Sequence, residues 1–221
     1  MSTYTSKDKL RSLTTLLKRL WKAEQDHLLL SAALRGLDDR YGLTKKIAGE
    51  PGVEEILKQM FGRLADSFTH LSELQGKRIL DIACGSSTSK APESLTITTP
   101  FGVARSARHG EGYTAQFEPW FCRILFELGA DAVGIDFGDL EGELFAHYRV
   151  DLGQPGALDF LPDASFDALQ DSRLFGSPEF TAQFPVLADR LKIAQEIQRQ
   201  EQRLLKPGGI LIHSDARALL K

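Results

Sequence analysis

A chain of 221 residues is long enough for one α/β domain with an accessory element. Its 42% hydrophobic and 26% charged residues describe an ordinary globular protein, and a net charge of −3 with a pI near 6.0 gives no global attraction to nucleic acid or to an anionic membrane. Cys84 and Cys122 are too few for a disulfide framework or a thiolate metal site. With no visible signal peptide and no apolar run of about 18 residues, the expected location is cytoplasmic.

Residues 1–75 read as helical. Leu10, Leu13, Leu16, Leu17, Leu20 and Trp21 recur at three- and four-residue spacing and so share one face, in a segment that can continue through Leu28–Leu34 to Gly36. Ten Lys and Arg against six Asp and Glu in the first fifty residues describe a solvated helix face. Asp38–Pro51 carries three turn signals: Asp38-Asp39, Tyr41-Gly42 and Gly49-Glu50-Pro51. A second series, Val53, Ile56, Leu57, Met60, Phe61, Leu64, Phe68 and Leu71, predicts an amphipathic helix with Gly76 placed to cap it.

The apolar run Ile79, Leu80, Ile82, closed by Gly85, predicts a buried parallel strand. Ser86–Glu118 is rich in Ser, Thr, Pro and Gly and has no sustained period, which predicts a long lid-like insertion. Pro119 opens a helix through Trp120, Phe121, Ile124, Leu125 and Leu128 to Gly129. Strands follow at Ala132–Asp136, His147–Asp151 and Ser165–Gln170, with a short or weakly patterned helix over Asp139–Phe145. Leu187, Leu191, Ala194, Ile197 and Leu204 mark a long helix, and Lys206-Pro207-Gly208-Gly209 reads as a turn into a fifth strand, Ile210–His213. The alternation predicts an open, mostly parallel Rossmann-like sheet with helices on both faces. In the domain division, 1–75 is a helical extension and 76–221 is the sheet domain, carrying the insertion at 86–118.

Five segments resemble, in order, the motifs of the class I S-adenosylmethionine-dependent methyltransferases. They are Ile-Leu-Asp-Ile-Ala-Cys-Gly (79–85), Val-Gly-Ile-Asp (133–136), Val-Asp-Leu (150–152), Ser-Phe-Asp-Ala-Leu (165–169) and Leu-Leu-Lys-Pro-Gly-Gly-Ile-Leu (204–211). The resemblance covers roughly residues 77–215. It implies S-adenosylmethionine as cofactor, with Asp136 on the ribose hydroxyls, where dinucleotide enzymes also keep an acid. It places Asp151 at the adenine amino group and backbone around Ala83, Cys84 and Gly85 at the amino-acid end. Asp81 would orient that loop, while Phe137, Leu152 and Gln170 complete the implied contacts. The sequence departs from the family where Gly85 is followed by Ser86-Ser87-Thr88-Ser89 and by the insertion. It also ends at Lys221, leaving no room after the fifth strand for the family's usual antiparallel hairpin. No Gly-x-Gly-x-x-Gly lies near the first strand, which argues against a nicotinamide cofactor.

Methyl transfer is a displacement at a sulfonium methyl that carries its own leaving group, so alignment of the partners is the main requirement. Candidates to hold or deprotonate an acceptor are Asp171 and Arg173, past the fourth strand, and His109 in the insertion. Tyr113 and Phe117 could close over the ligand, and His213 reads as a structural histidine. The expected acceptor is a small molecule, because no basic stripe with interleaved aromatic residues suggests nucleic acid and nothing suggests a membrane. A homodimer through the uncovered fifth strand is the expected assembly. Two other readings are a non-catalytic binding protein on this fold and another adenosine- or nucleotide-using enzyme.

Overall fold

The computed structural model describes residues 6–86, 95–98, 104–107, 115–171, 174–175 and 177–220. Helices α1 (Ser6–Leu17), α2 (Glu24–Tyr41), α3 (Leu43–Gly49) and α4 (Pro51–Ser67) precede the first strand. The stretch expected to be turns therefore contains a helix. Gly42, at φ 65°, ends α2 with its N–H on the Asp38 carbonyl. The Asp38 carboxylate then accepts the backbone N–H of Thr44 at 2.7 Å and its hydroxyl at 2.8 Å, starting α3. The turn residues bracket α3, whose Leu43 and Ile47 are buried. α4 buries the expected stripe, including Val53, Leu57, Phe61 and Leu64. Phe68 caps it, and Gly76 instead follows a short 3-10 turn, Leu71–Leu74. Buried Asp26 of α2 anchors that turn by accepting the Leu71 N–H at 2.8 Å.

The remaining elements are β1 (Arg78–Ile82), β2 (Leu95–Thr98), β3 (Ala104–Ala107), α5 (Trp120–Glu127), β4 (Asp131–Asp136), β5 (Ala146–Arg149), β6 (Phe166–Asp171), α6 (Pro178–Gln183), α7 (Leu187–Leu204), β7 (Leu205–Ser214) and α8 (Asp215–Leu219). Five strands form one parallel sheet in the order β5-β4-β1-β6-β7, the open α/β architecture expected. The insertion, read as aperiodic, contains an antiparallel pair of its own, β2 with β3. Residues 138–145 connect β4 to β5 by turns without a helix. The Lys206–Gly209 segment lies inside β7 rather than before it: Leu205 already pairs with Phe166, and register shifts follow. Gly208, at φ 76°, absorbs this irregularity.

Alternation along the strands splits the interior in two. Ile79, Ala132 and Ala168 face a core shared with α5 and with Leu13, Leu34, Leu57 and Phe61 of the first helices. Leu80, Ile82, Val133, Ile135 and Leu169 face a second core with Ala194, Ile197 and Leu204 of α7. No described helix is long and apolar enough to cross a membrane.

Candidate site at the carboxyl edge of the sheet

The chain leaves β1 towards β4 on one side and leaves β6 towards β7 on the other, so the connections from these adjacent strands run in opposite directions. In open α/β sheets ligands bind at the strand ends beside such a reversal. The parallel register places Asp81 of β1 beside Gly134 of β4 and Gln170 of β6. Neighbours in register emerge on one face. Gln170 donates from Nε2 to Asp81 Oδ1 at 3.0 Å, and Cys122 of α5 donates its thiol to Asp81 Oδ2 at 3.8 Å. All three are buried. Burial raises the Asp81 pKa to about 7, while the Gln170 hydrogen bond and Arg63 pull it back.

The loop after β1 bends sharply. Ala83 takes φ 60°, the Cys84 N–H bonds the Ile135 carbonyl at 3.0 Å, and Gly85 takes φ 91°. A side chain on Gly85 would strike the Phe117 carbonyl, so glycine is required both by conformation and by close approach. The Gly85 N–H donates to Asp136 Oδ2 at 2.9 Å, and the Gly138 N–H donates to Oδ1 at 2.8 Å. Asp136 thus ties the loop after β1 to the loop after its own strand. Buried Ser86 packs on Gly138 and donates its backbone N–H to the Phe117 carbonyl at 2.9 Å. The described ends of the insertion therefore rest beside the strand ends.

Phe137 is 60% exposed, and Arg149, whose Nε donates to the Phe137 carbonyl at 3.0 Å, lies 5.8 Å from its ring. The Val150 N–H reaches the Asp136 carbonyl at 2.8 Å, placing the next strand end alongside. There Asp151 accepts the Gly153 N–H at 2.9 Å and the Gln154 amide at 3.0 Å, and Leu152 is buried. Phe184 packs on Gly153 and on Phe180, so the chain around α6 covers this corner.

Asp171 points elsewhere. Its carboxylate accepts the backbone N–H groups of Asp215 and Ala216, the latter at 2.9 Å, and the Ser214 hydroxyl at 3.3 Å. It fastens the end of β7 to α8, and burial raises its pKa to about 7. His213 bonds Asp215 at 2.8 Å. His109, Tyr113 and Arg173 lie outside the described residues.

The sequence reading missed an ionic cluster beneath the insertion. Arg123 of α5 donates Nε to Glu143 Oε2 at 3.0 Å and also pairs with Glu118, which accepts Lys46 of α3. The Arg123 guanidinium stacks 4.0 Å from the Tyr41 ring, and all three of Arg123, Glu118 and Glu143 have nearly inaccessible side chains. No sequence signal marks these partners, since they come from four separate segments. Among the described residues, no group of three or more His, Cys, Asp or Glu could hold a metal. No protein-family model matches the chain, and no curated protein matches it.

Proposed function

We propose that the chain transfers methyl groups from S-adenosylmethionine to a small-molecule acceptor, in the manner of the class I methyltransferases that its motifs resemble. The observation that carries this reading is Asp136, an acid at a strand end beside the central strand, bonded to the glycine loop that follows β1. The donor set suits an adenosine. Asp136 and Asp151 stand at adjacent strand ends, where their carboxylates already accept backbone N–H groups, and Phe137, next in the chain to Asp136, has an exposed ring. Gly85 lets the loop after β1 turn tightly against Phe117 at the strand ends, without a phosphate-binding glycine series.

In this reading Asp136 would hold the ribose hydroxyls, while Phe137, Asp151 and Leu152 would frame the adenine. Asp81, Ala83, Cys84, Gly85 and Gln170 would hold the amino-acid end. The bound cofactor supplies a methyl already activated on a sulfonium sulfur. The chain's own work is then to orient the acceptor and exclude water, which falls to the N-terminal helices and the 86–118 segment. Arg173 and His109 are the groups assigned to the acceptor, and Asp171 keeps the neighbouring end of β7 in place. The reading includes a cytoplasmic location and pairing of two chains along β7, whose half-buried Ile210-Leu211-Ile212 run lies at the sheet edge.

One observation favours a second reading, a binding protein without catalysis: Ser86 and Phe117 are already bonded together beside the strand ends. Ultraviolet cross-linking with methyl-labelled S-adenosylmethionine separates the two. The enzyme reading expects label in the peptide containing Phe137, competed by S-adenosylhomocysteine. Absence of label on folded protein supports the binding protein.

A further inference from the structure

The only two cysteines of the chain, far apart in sequence, meet in the fold. Gly134 of β4 has no side chain, and the point where its Cβ would sit is crowded by the Phe145 ring and by both cysteine sulfurs. Cys84 Sγ lies 2.9 Å and Cys122 Sγ 3.1 Å from that point. The two thiols are close enough to perturb each other's ionisation directly. Cys84 stands in the loop after β1, and Cys122 stands on α5, just beyond the return of the insertion. A bond between them would close a loop containing the whole 86–118 segment.

We propose that Cys84 and Cys122 form a reversible dithiol–disulfide couple that staples the two ends of the insertion together. The oxidant is a low-molecular-weight disulfide such as oxidised glutathione. One cysteine thiolate attacks it, forming a mixed disulfide and releasing one glutathione thiol. The second cysteine thiolate then displaces the other glutathione thiol, leaving the Cys84–Cys122 bond. Two protein thiols are oxidised and one disulfide is reduced to two thiols. Both sulfurs are buried, and burial holds both in the neutral thiol form, so reaction requires a transient opening of the 83–86 loop. Once formed, the bond restricts the unfolded chain across a long loop and stabilises the fold. The inference does not depend on the cofactor reading.

The test uses the native full chain. Reduced protein is equilibrated with glutathione redox buffers, quenched in acid, alkylated in denaturant and measured by intact mass and peptide mapping. The expected result is a monomer that loses both alkylatable thiols together. It should yield a Cys84–Cys122 cross-linked peptide, melt roughly 5–10 °C higher and revert with dithiothreitol. Cys84→Ser and Cys122→Ser should each abolish the rise in melting temperature. Persistence of both thiols, glutathione adducts as end products, cross-links between chains, or the same rise in either single variant would each overturn the proposal. Thiol counting on the unmodified chain decides the matter even if a variant fails to fold.

Discussion

Asp81 shows how one residue can be legible in sequence while its state is not. Its place near the end of a buried strand follows from the Ile79–Gly85 pattern. Its environment follows only from register, which brings Gln170 and Cys122 onto it. Asp81 and Asp171 both have folded-state pKa values near 7, against 3.8 for the free side chain. Between about pH 4 and 7 the folded chain binds more protons at these two sites than the unfolded chain, so their contribution to stability falls as pH rises. It is complete below the unfolded pKa and lost through the folded one. Urea denaturation should therefore show a midpoint that declines from pH 5 to pH 8, and Asp81→Asn should flatten that decline. Gly85→Ala tests the close approach to Phe117. A strained φ and a steric clash together should cost about 1–3 kcal/mol, read as a lower urea midpoint.

Elements were most readable where burial repeats along one helix or strand. The Val53–Leu64 stripe and the Leu187–Leu204 series are local, and both became helices at the expected places. Pairing between distant segments was the hidden part. The Lys206–Gly209 segment has turn composition, yet β6 recruits Leu205 and extends β7 through it, with register shifts absorbing the misfit. β2 finds its partner in β3 within a stretch that shows no period, because pairing of two short strands leaves little trace in either alone. The contact between α3, α5 and the foot of the insertion rests on Lys46, Glu118, Arg123 and Glu143. Arg123→Met would leave Glu118 and Glu143 buried without their shared cation. That change should cost about 3–5 kcal/mol in thermal or denaturant unfolding, far more than loss of a surface pair.

For the whole molecule, the strand order and the position of Asp136 support one proposal, that the carboxyl edge of this sheet binds an adenosine. The sheet class was readable from the alternation of strands and helices, but the mutual support of Gly85, Asp136 and Gly138 was not, because it joins loops distant in sequence. The measurement that bears most directly on the claim is calorimetric titration of the folded chain with S-adenosylmethionine and S-adenosylhomocysteine, repeated with Asp136→Asn. Loss of a charged hydrogen bond to the ligand is worth about 1.5–3 kcal/mol, or roughly 10- to 100-fold in affinity. The account predicts micromolar binding of both ligands by the unmodified chain and at least tenfold weaker binding by the variant, with the variant still folded. No binding by a folded, unmodified chain, or equal binding by the variant, would contradict it.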